Sequence, residues 1–492
     1  MTDLVSLSCQ PSETRFDLAL DEAAVLRNLD VVRRVPNKRL VCRGQWNGQP
    51  VYAKIFIGPQ ARRYAARDAA GVERLVNAGI ATPALLHSGL LADKGGTNSG
   101  SVLIFAAIAD GMNAEESWQQ AAGPERLELA TRLVEAIAQH HNAGLMQTDL
   151  YLKNFLVAGD RIYTLDGDAI KPFPRFSPNQ AALGNLAILL SKFDVLEIQA
   201  WLEPLLQAYA AGRGWREQMD VPQMQTRITQ HRRRVVQGYA EKKVLRQCTD
   251  VAVSRSWHHF LALSRKGHSA ELEQVLLNTP DALLDGVGQK RLKSGNTCTV
   301  GLTEINDRKM VVKRYNIKSF WHGVGRSWRP SRAALSWKNA HRLMMYGIGT
   351  ANPLALLESR FGPLRGRAYF LAEYIQAPNI AQLMEDASVT QERKQQVAEN
   401  LAWLMYKLML LQIAHGDLKA SNIHIEGARP LLIDLDSLRE YRYRLCFASR
   451  HVSDLRRLLK NWQDQPQIYR LLVEALQRVY GRHRLLAKAL GR

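Results

Sequence analysis

One short segment of the chain combines side chains that could bind a metal ion and accept a proton. In HGDLKASNIHIEGARPLLIDLDSL (415–438), Asn422 follows Asp417 by five residues and Asp434 follows it by 17. Carboxylate and amide oxygens are hard ligands of the kind that Mg²⁺ takes, usually together with substrate phosphates. A further carboxylate could position an acceptor hydroxyl, so the set meets the main requirements of phosphoryl transfer.

An earlier segment repeats this arrangement. In QTDLYLKNFLVAGDRIYTLDGDAI (147–170), Asn154 and Asp166 follow Asp149 by the same five and 17 residues. Internal repetition of this kind indicates a duplicated architecture. Each segment closes on an Asp-x-Asp pair, and the second members of the pairs are Asp168 and Asp436.

A lysine precedes each segment within an apolar strand pattern. Lys54 in VYAKIF and Lys313 in MVVKRY share a strand face with aromatic or aliphatic neighbours, because strand side chains alternate between faces. An ammonium group on such a face is costly unless it is paired. Single lysines of this kind usually extend to the surface, but two in matching positions predict a common role in holding nucleotide phosphates.

A carboxylate on the following helix would hold each lysine. In the first half Asp68 lies on an apolar stripe at helical spacing, which predicts that it faces the core, whereas Glu73 lies off the stripe. The corresponding helix of the second half, SRAALSWKNAHRLMMYGI, contains no acidic residue. Ser336 stands about where the acid is expected, so the two halves differ at this position.

The elements that must position these residues follow one order in both halves: hairpin, helix, buried strand, long helix, Asp-rich segment. Asn47-Gly48 is the dipeptide most favoured in tight hairpins, and it predicts a turn within 38–57. The remaining predicted elements of the first half are a helix over 60–78, a strand over 101–110 and a helix over 124–142. Those of the second half are a hairpin around Asn306-Asp307, a helix over 331–346, a strand over 368–375 and a helix over 392–411.

Composition and charge narrow the class of protein. The formal net charge of +20 favours an anionic partner, namely nucleic acid, an acidic membrane or a phosphorylated substrate. Zinc-finger spacing and aromatic RNA-binding motifs are absent from the sequence, so no nucleic acid is expected. The acidic start, the short apolar runs and five scattered cysteines predict a soluble, cytoplasmic protein.

The motifs HGDLKASN and LIDLDSL resemble those of the protein-kinase-like fold, and more closely those of the bacterial lipopolysaccharide core sugar kinases. These include the heptose and Kdo kinases. The turns AGIATPALL and YGIGTANPLAL are similar to that family's helix-to-strand turn. The resemblance implies an α+β fold of two tandem kinase-like domains, each with a small β-rich N-lobe and a larger helical C-lobe. The expected boundaries are 1–215 and 286–492, with a basic helical connection and lead-in over 216–285.

The resemblance also implies roles for the repeated residues. Asp149 and Asp417 are expected to orient or deprotonate the acceptor hydroxyl. Lys54 and Lys313 are expected to bind ATP phosphates, with Asp68 supporting the first. The expected Mg²⁺ ligands are Asn154 with Asp166 in the first half and Asn422 with Asp434 in the second. Expected supporting residues are Asp168, Asp436, His415 and Lys419.

Each half departs from the family pattern. CRGQWNG in the first half and KSGNTCTV in the second are only partial substitutes for a glycine-rich phosphate loop. Gln147 stands where the second half has His415, a change expected to alter the loop geometry. Because its loop is nearer the pattern, the second half is slightly favoured as the catalytic copy.

The leading hypothesis is an ATP- and Mg²⁺-dependent kinase that phosphorylates a sugar hydroxyl of the lipopolysaccharide inner core. Its expected location is the inner face of the cytoplasmic membrane, where a basic protein is attracted peripherally to an anionic leaflet and glycolipid. Two alternatives stay open. One is a kinase-like phosphotransferase that acts on a protein or small molecule, and the other is a pseudokinase pair that serves as a scaffold at the membrane surface.

Overall fold

The computed structural model describes residues 4–9, 15–20, 25–91, 100–285, 290–295, 298–316 and 330–491. The chain divides into two compact units. The first comprises residues 1–193 and 197–231, and the second comprises residues 194–196 and 232–492. Each unit contains one of the two Asp-rich segments.

The first unit begins with a six-stranded antiparallel sheet within the described residues. Its strands are β1 (Phe16–Ala19), β2 (Val25–Val35), β3 (Arg39–Trp46), β4 (Gln49–Phe56), β5 (Leu85–Leu90) and β6 (Ser101–Ala106). Their order across the sheet is β1-β2-β3-β4-β6-β5. The predicted turn between β3 and β4 is confirmed, and Asn47 and Gly48 both have positive φ, 49° and 78°. Primed turns of this type match the twist of the strands that they join.

The two faces of this sheet have different coverings. Val51, Ala53 and Ile55 of β4 are fully buried on one face. Because side chains alternate along a strand, Lys54 and Phe56 lie on the other face, where Phe56 packs in an apolar cluster with residues of the following helix. The strand lysine is therefore on the helix-covered side of the sheet.

The rest of the first unit is largely helical. Its helices are α1 (Leu4–Cys9), α2 (Ala61–Asn77), α3 (Ala114–Gln120), α4 (Pro124–Asn142), α5 (Pro178–Leu190), α6 (Val195–Gly212) and α7 (Val221–Gln237). Residues 195–196 of α6 and 232–237 of α7 belong to the second unit. Its short strands are β7 (Met112–Asn113), β8 (Leu145–Gln147), β9 (Phe155–Ala158), β10 (Arg161–Thr164) and β11 (Ile170–Pro172). The helices predicted over 60–78 and 124–142 are confirmed, and α4 is packed with α5 and α6 in one core. Antiparallel β9 and β10 form a hairpin inside the Asp-rich segment, with Asp149 and Asn154 before β9 and Asp166 after β10.

The second unit contains a seven-stranded antiparallel sheet within the described residues, in the order β12-β13-β18-β19-β16-β15-β14. The strands of the unit are β12 (Val251–Arg255), β13 (His259–Ser264), β14 (Lys290–Ser294), β15 (Cys298–Ile305), β16 (Arg308–Tyr315), β17 (Gly349–Thr350), β18 (Pro353–Phe361), β19 (Leu364–Glu373), β20 (Ile413–Ala414), β21 (Ile423–Glu426), β22 (Arg429–Leu432) and β23 (Arg439–Glu440). The smaller sheets are β17-β22-β21 and β20-β23. The predicted hairpin around Asn306-Asp307 is confirmed.

The second unit also contains helices. They are α8 (Ala270–Asn278), α9 (Ala282–Asp285), α10 (Arg332–Met345), α11 (Ile380–Glu385), α12 (Gln391–Leu411), α13 (Arg444–Lys460), α14 (Pro466–Tyr480) and α15 (Arg484–Ala489). The helices predicted over 331–346 and 392–411 are confirmed. Each unit thus combines a β-rich part followed by a helical part, which confirms the predicted α+β class.

The connection predicted as helical over 216–285 is only partly so. Helix α7 lies within it, but β12 and β13 form a hairpin whose second strand pairs with β18 of the large sheet. Leu261 and Leu263 of β13 are buried in a core that includes Leu272 and Leu276 of α8. The apolar residues of β13 form one short continuous run, FLAL. The basic composition of the region concealed this pattern.

A membrane-spanning helix is not found in the part of the chain that the structure describes. None of its helices is both long enough and apolar enough to cross a bilayer. Residues of these helices contribute to the hydrophobic cores of the two units.

Candidate active site

In the first unit the strand lysine lies between two carboxylates. Lys54 Nζ is 2.7 Å from Asp68 Oδ2 and 3.5 Å from Asp166 Oδ1. Arg39, the first residue of β3, lies 3.6 Å from the same Asp166 oxygen and 4.0 Å from Asp68. Two cations and two carboxylates therefore compensate one another in a cluster where unpaired charges would be costly.

Asp68 joins the helix, the lysine and the Asp-rich loop. Its side chain is fully buried, and its Oδ1 accepts the amide N–H of Gly167 at 3.0 Å. Burial raises the pKa of the Asp68 carboxyl, and the charge of Lys54 opposes that effect. Glu73, which lies off the apolar stripe, is exposed. The helical spacing thus correctly identified Asp68 as the carboxylate that contacts Lys54.

In the second unit the lysine has a simpler partner set. Lys313 Nζ donates to Asp434 Oδ1 at 3.0 Å, and this is the one ion pair that Lys313 makes among the described residues. Ser336 on α10 lies instead within hydrogen-bond distance of the Tyr315 hydroxyl, 3.0 Å away. Burial would raise the pKa of the Asp434 carboxyl, but Lys313 lowers it below its usual value. Lys313 is therefore held by one carboxylate where Lys54 has two.

The loop aspartate and asparagine are joined in the same way in both units. Asn154 Nδ2 donates to the backbone oxygen of Asp149 at 2.8 Å and to its Oδ2 at 3.1 Å. Asn422 Nδ2 makes the corresponding bonds to Asp417 at 2.9 and 3.5 Å. Because the amide nitrogen faces the aspartate, the amide oxygen is directed away from it, which leaves a hard oxygen for another ligand.

Gln147 and His415 occupy equivalent positions with equivalent bonds. Gln147 Nε2 donates to the carbonyl of Leu165 at 3.0 Å, and Gln147 Oε1 accepts the N–H of Asp149 at 3.3 Å. His415 contacts the Ile433 carbonyl at 2.9 Å and the N–H of its own loop aspartate at 3.4 Å. The expected change of loop geometry in the first unit is not observed.

The first aspartate of each Asp-x-Asp pair has a left-handed backbone. Asp166 has φ 65° and ψ 75°, and Asp434 has φ 62° and ψ 56°. Residues other than glycine seldom adopt this conformation, and it is concentrated at functional sites where surrounding contacts enforce it. The same unusual turn in both units aims each carboxylate at its strand lysine.

A threonine from the helix-to-strand turn braces each of these loops. Thr82 Oγ1 donates to the carbonyl of Thr164 at 2.9 Å, two residues before the left-handed aspartate. Thr350 Oγ1 makes the same bond to Leu432 at 2.7 Å. These threonines belong to the turns AGIATP and YGIGTANP, so the two turns share a contact as well as a sequence pattern.

The family assignment follows from a sequence comparison that matches both repeats. The model of the lipopolysaccharide kinase (Kdo/WaaP) family matches residues 52–198 and 286–480, more than half of the chain. The chain belongs to this family. Lipopolysaccharide kinases of this family are phosphotransferases that act on sugar hydroxyls, so the protein is a kinase with an alcohol group as acceptor. The two matched segments confirm the predicted tandem arrangement.

Solved structures provide a further comparison for this kinase. A structure described as WaaP in complex with acyl carrier protein is similar to it at 20% sequence identity and a TM-score of 0.32. That similarity covers 43% of this chain and 88% of the other. None of the curated proteins matches the chain.

The second aspartate of each pair binds an arginine in this kinase. Arg67 of α2 lies 2.8 Å from Asp168 Oδ1. Arg332 of α10 donates through Nε to Asp436 Oδ2, also at 2.8 Å. Neither arginine was predicted from the sequence. Both tie the Asp-rich loop to the helix that precedes it in the chain.

The loop aspartates differ in their charged neighbours. Asp417 lies 2.6 Å from Arg457 of α13 and 3.4 Å from Lys419, which the sequence had singled out as a supporting residue. Among the described residues Asp149 has no ion pair, although its charge acts on Lys192, whose pKa is lowered by burial. The second loop aspartate is therefore neutralised within the structure to a greater extent than the first.

Asp454 is a buried residue of the site that sequence reasoning missed. Its carboxylate accepts the N–H groups of His415 at 2.7 Å and Gly416 at 3.0 Å. Burial raises the pKa of the Asp454 carboxyl to about 6. The first unit has Asn185 in this region, and its amide donates to the carbonyl of Gln147 at 2.9 Å. A single acid on the buried side of α13 was the available signal.

The segment of the first unit expected as a partial substitute for a phosphate loop is a strand end followed by a turn. CRGQWNG forms the end of β3 and its turn into β4, and Gly44 permits close packing, since a Cβ there would lie 2.7 Å from Leu29. The turn before β3 is the one beside the charged cluster, because Arg39 follows it directly and Ile57 bonds to Lys38. In KSGNTCTV of the second unit, Asn296 and Thr297 lie outside the described residues.

The predicted magnesium ligands fit a site completed by substrate. Within the described ranges, no three His, Cys, Asp or Glu side chains converge as a metal cluster. Asp166 Oδ1 is buried without a hydrogen-bond partner in the described structure, and Lys54 and Arg39 lie 3.5 and 3.6 Å from it. One carboxylate and one amide oxygen suit Mg²⁺, whose remaining ligands are usually phosphates and water.

Proposed function

We propose that this kinase transfers the γ-phosphoryl group of ATP, with Mg²⁺, to a sugar hydroxyl of the lipopolysaccharide inner core. The observation that carries the proposal is the cluster of Lys54, Asp68 and Asp166 beside the loop of Asp149 and Asn154. A nucleotide's phosphates require positive charge and hard-oxygen metal ligands, and this cluster supplies both within one unit.

The residues divide the work according to their contacts. Asp149 would accept a hydrogen bond from the acceptor hydroxyl and take its proton as the new bond to phosphorus forms. Lys54, held by Asp68, would bind phosphate oxygens. Asn154 and Asp166 would hold Mg²⁺, which neutralises the negative charge of the phosphates. The Gln147 bonds keep Asp149 in place for this role.

We propose that the first unit carries the turnover. The sequence slightly favoured the second unit because of its loop histidine, but Gln147 makes the same pair of bonds as that histidine. Lys313 lacks a helical carboxylate, and Asp417 is paired with Arg457. These two features favour a supporting role for the second unit, so that the pseudokinase alternative would apply to this unit alone.

The acceptor and the location follow from the family and the charge. Lipopolysaccharide is polyanionic, and a net charge of +20 favours its binding. The proposed place of action is the cytoplasmic face of the inner membrane, with the protein bound peripherally. An acceptor that is a protein or a small molecule is the competing assignment within the same chemistry.

The test is phosphate transfer from labelled ATP to a truncated core acceptor, with and without Mg²⁺. Asp149→Asn should lower the transfer rate by about 10²-fold or more, the usual contribution of a catalytic base. Asp417→Asn should change the rate by less than about threefold. Thermal unfolding of both variants is the folding control. The reverse order would overturn the assignment of units. Wild-type transfer to protein or free sugar but not to core lipid would overturn the acceptor, and failure of ATP with Mg²⁺ to raise the unfolding temperature would overturn nucleotide binding.

A further inference from the structure

The two most exposed large hydrophobic side chains among the described residues follow the Asp-x-Asp pairs of the two repeats at similar intervals. Phe176 is 87% exposed and Leu445 is 81% exposed. Phe176 follows the left-handed Asp166 by ten residues, and Leu445 follows Asp434 by eleven. Phe176 lies just before α5, and Leu445 lies in the first turn of α13.

Basic residues accompany both side chains. Lys171 and Arg175 are exposed beside Phe176, and Arg442 and Arg444 are exposed beside Leu445. The described structure contains no ion pair for any of these four cations. The stretches 169–193 and 441–453 contain no aspartate or glutamate. Tyr443, which is 66% exposed, adds an aromatic group beside Leu445.

We propose that the segments 171–176 and 442–445, here called the docking segments, bind the surface of an anionic bilayer. Singly exposed hydrophobic residues are normal on proteins, but here an exposed hydrophobic residue with basic neighbours recurs ten and eleven residues after the first aspartate of the two Asp-x-Asp pairs. Aromatic and aliphatic groups enter the boundary between headgroups and acyl chains, and adjacent lysines and arginines are attracted to anionic lipids.

The position of the docking segments gives this binding a consequence for the reaction. The segments begin five residues after the predicted metal ligand Asp166 and eight residues after Asp434, so membrane contact would bring the headgroup region towards those loops. This step rests on the proposed function, since it assigns a lipid-embedded acceptor to the same site. The bilayer contact itself is independent of catalysis.

Flotation with lipid vesicles tests the contact directly. The full chain should bind vesicles of phosphatidylethanolamine and phosphatidylglycerol, bind phosphatidylcholine vesicles much more weakly, and dissociate as salt is raised. Phe176→Ser combined with Leu445→Ser should lower the partition coefficient by about tenfold or more. Phe361→Ser removes a comparably exposed aromatic group, 67% exposed, and should leave binding unchanged. Thermal unfolding should be the same for all three proteins.

Kinase assays distinguish docking segments that bind the bilayer from docking segments that bind the sugar acceptor. The double variant should lose activity on vesicle-embedded core lipid and keep it on soluble core oligosaccharide. Equal loss on both acceptors would show that the segments contact sugar, and unchanged flotation of the double variant would show that they do not bind the bilayer; either result overturns the proposal. Failure of the proposed function would abolish transfer to both acceptors in the wild type and leave flotation unaffected.

Discussion

Gly71 and Gly167 lie so close together that neither has room for a side chain. A Cβ on Gly71 would come within 1.8 Å of the Gly167 carbonyl oxygen, and a Cβ on Gly167 would come within 2.1 Å of the Asp68 carbonyl oxygen. This contact between α2 and the loop brings Asp68 to Lys54. In the second unit Asn339 donates to a loop carbonyl in place of such a contact.

Gly71→Ala should therefore damage the first unit. The clash is with backbone, which cannot move aside as a flexible side chain can, so we expect a loss of at least about 2 kcal/mol in unfolding free energy and a large fall in transfer rate. Gly184→Ala on α5 is the matched control, since a Cβ there has no neighbour within 4 Å. It should be neutral or slightly stabilising. Wild-type stability and rate in Gly71→Ala would refute the close contact.

The bonds of Gln147 predict which substitutions the loop accepts. Gln147→His should keep both bonds, as His415 does, and retain transfer within about threefold. Gln147→Leu would leave the half-buried Leu165 carbonyl and the Asp149 N–H without these partners, at a cost of about 1–3 kcal/mol. The measurements are thermal unfolding and transfer rate. Equal behaviour of the two variants would show that these bonds do not position Asp149.

The lysine cluster predicts that Asp68 matters and Glu73 does not. Asp68→Ser would leave Lys54 with Asp166 alone, the arrangement of Lys313 in the second unit. We expect the KM for ATP to rise and kcat/KM to fall by about tenfold or more, because a misplaced cation stabilises the transferred phosphoryl group less well. Glu73→Ser, an exposed change on the same helix, is the control. A similar loss in both variants would point to general damage to α2.

Local patterns in the sequence predicted the parts of the site that depend on local structure. Helical spacing identified Asp68, and the paired intervals identified the loop residues, because each depends on neighbours within one element. Asp454 and Arg457 were missed because they reach the loop through packing of α13 onto residues more than 35 positions earlier. Arg39 was missed because its partners, Asp68 and Asp166, lie 29 and 127 positions later in the chain.

The strands Val251–Arg255 and His259–Ser264 were not predicted from the sequence, for a different reason. Their apolar residues form only short continuous runs, VAV and FLAL, within a region whose basic composition predicts a helical connection. Strand β13 is stabilised by pairing with β18, almost 100 residues later. A partner so distant in sequence leaves no local signal, so composition was a poor guide there.

Asp454 predicts a dependence of stability on pH. Its pKa is about 6 in the folded protein against an ordinary value of 3.8, so between about pH 4 and pH 6 the folded state binds a proton that the unfolded state has released. Stability should fall as pH rises through this window, by up to about 3 kcal/mol from this group. Above it, the ionised carboxylate still accepts the two loop N–H bonds. Unfolding of the wild type and of Asp454→Asn should be compared across that range. The wild type should lose stability relative to the variant as pH rises, and parallel curves would show that the folded-state pKa is not raised.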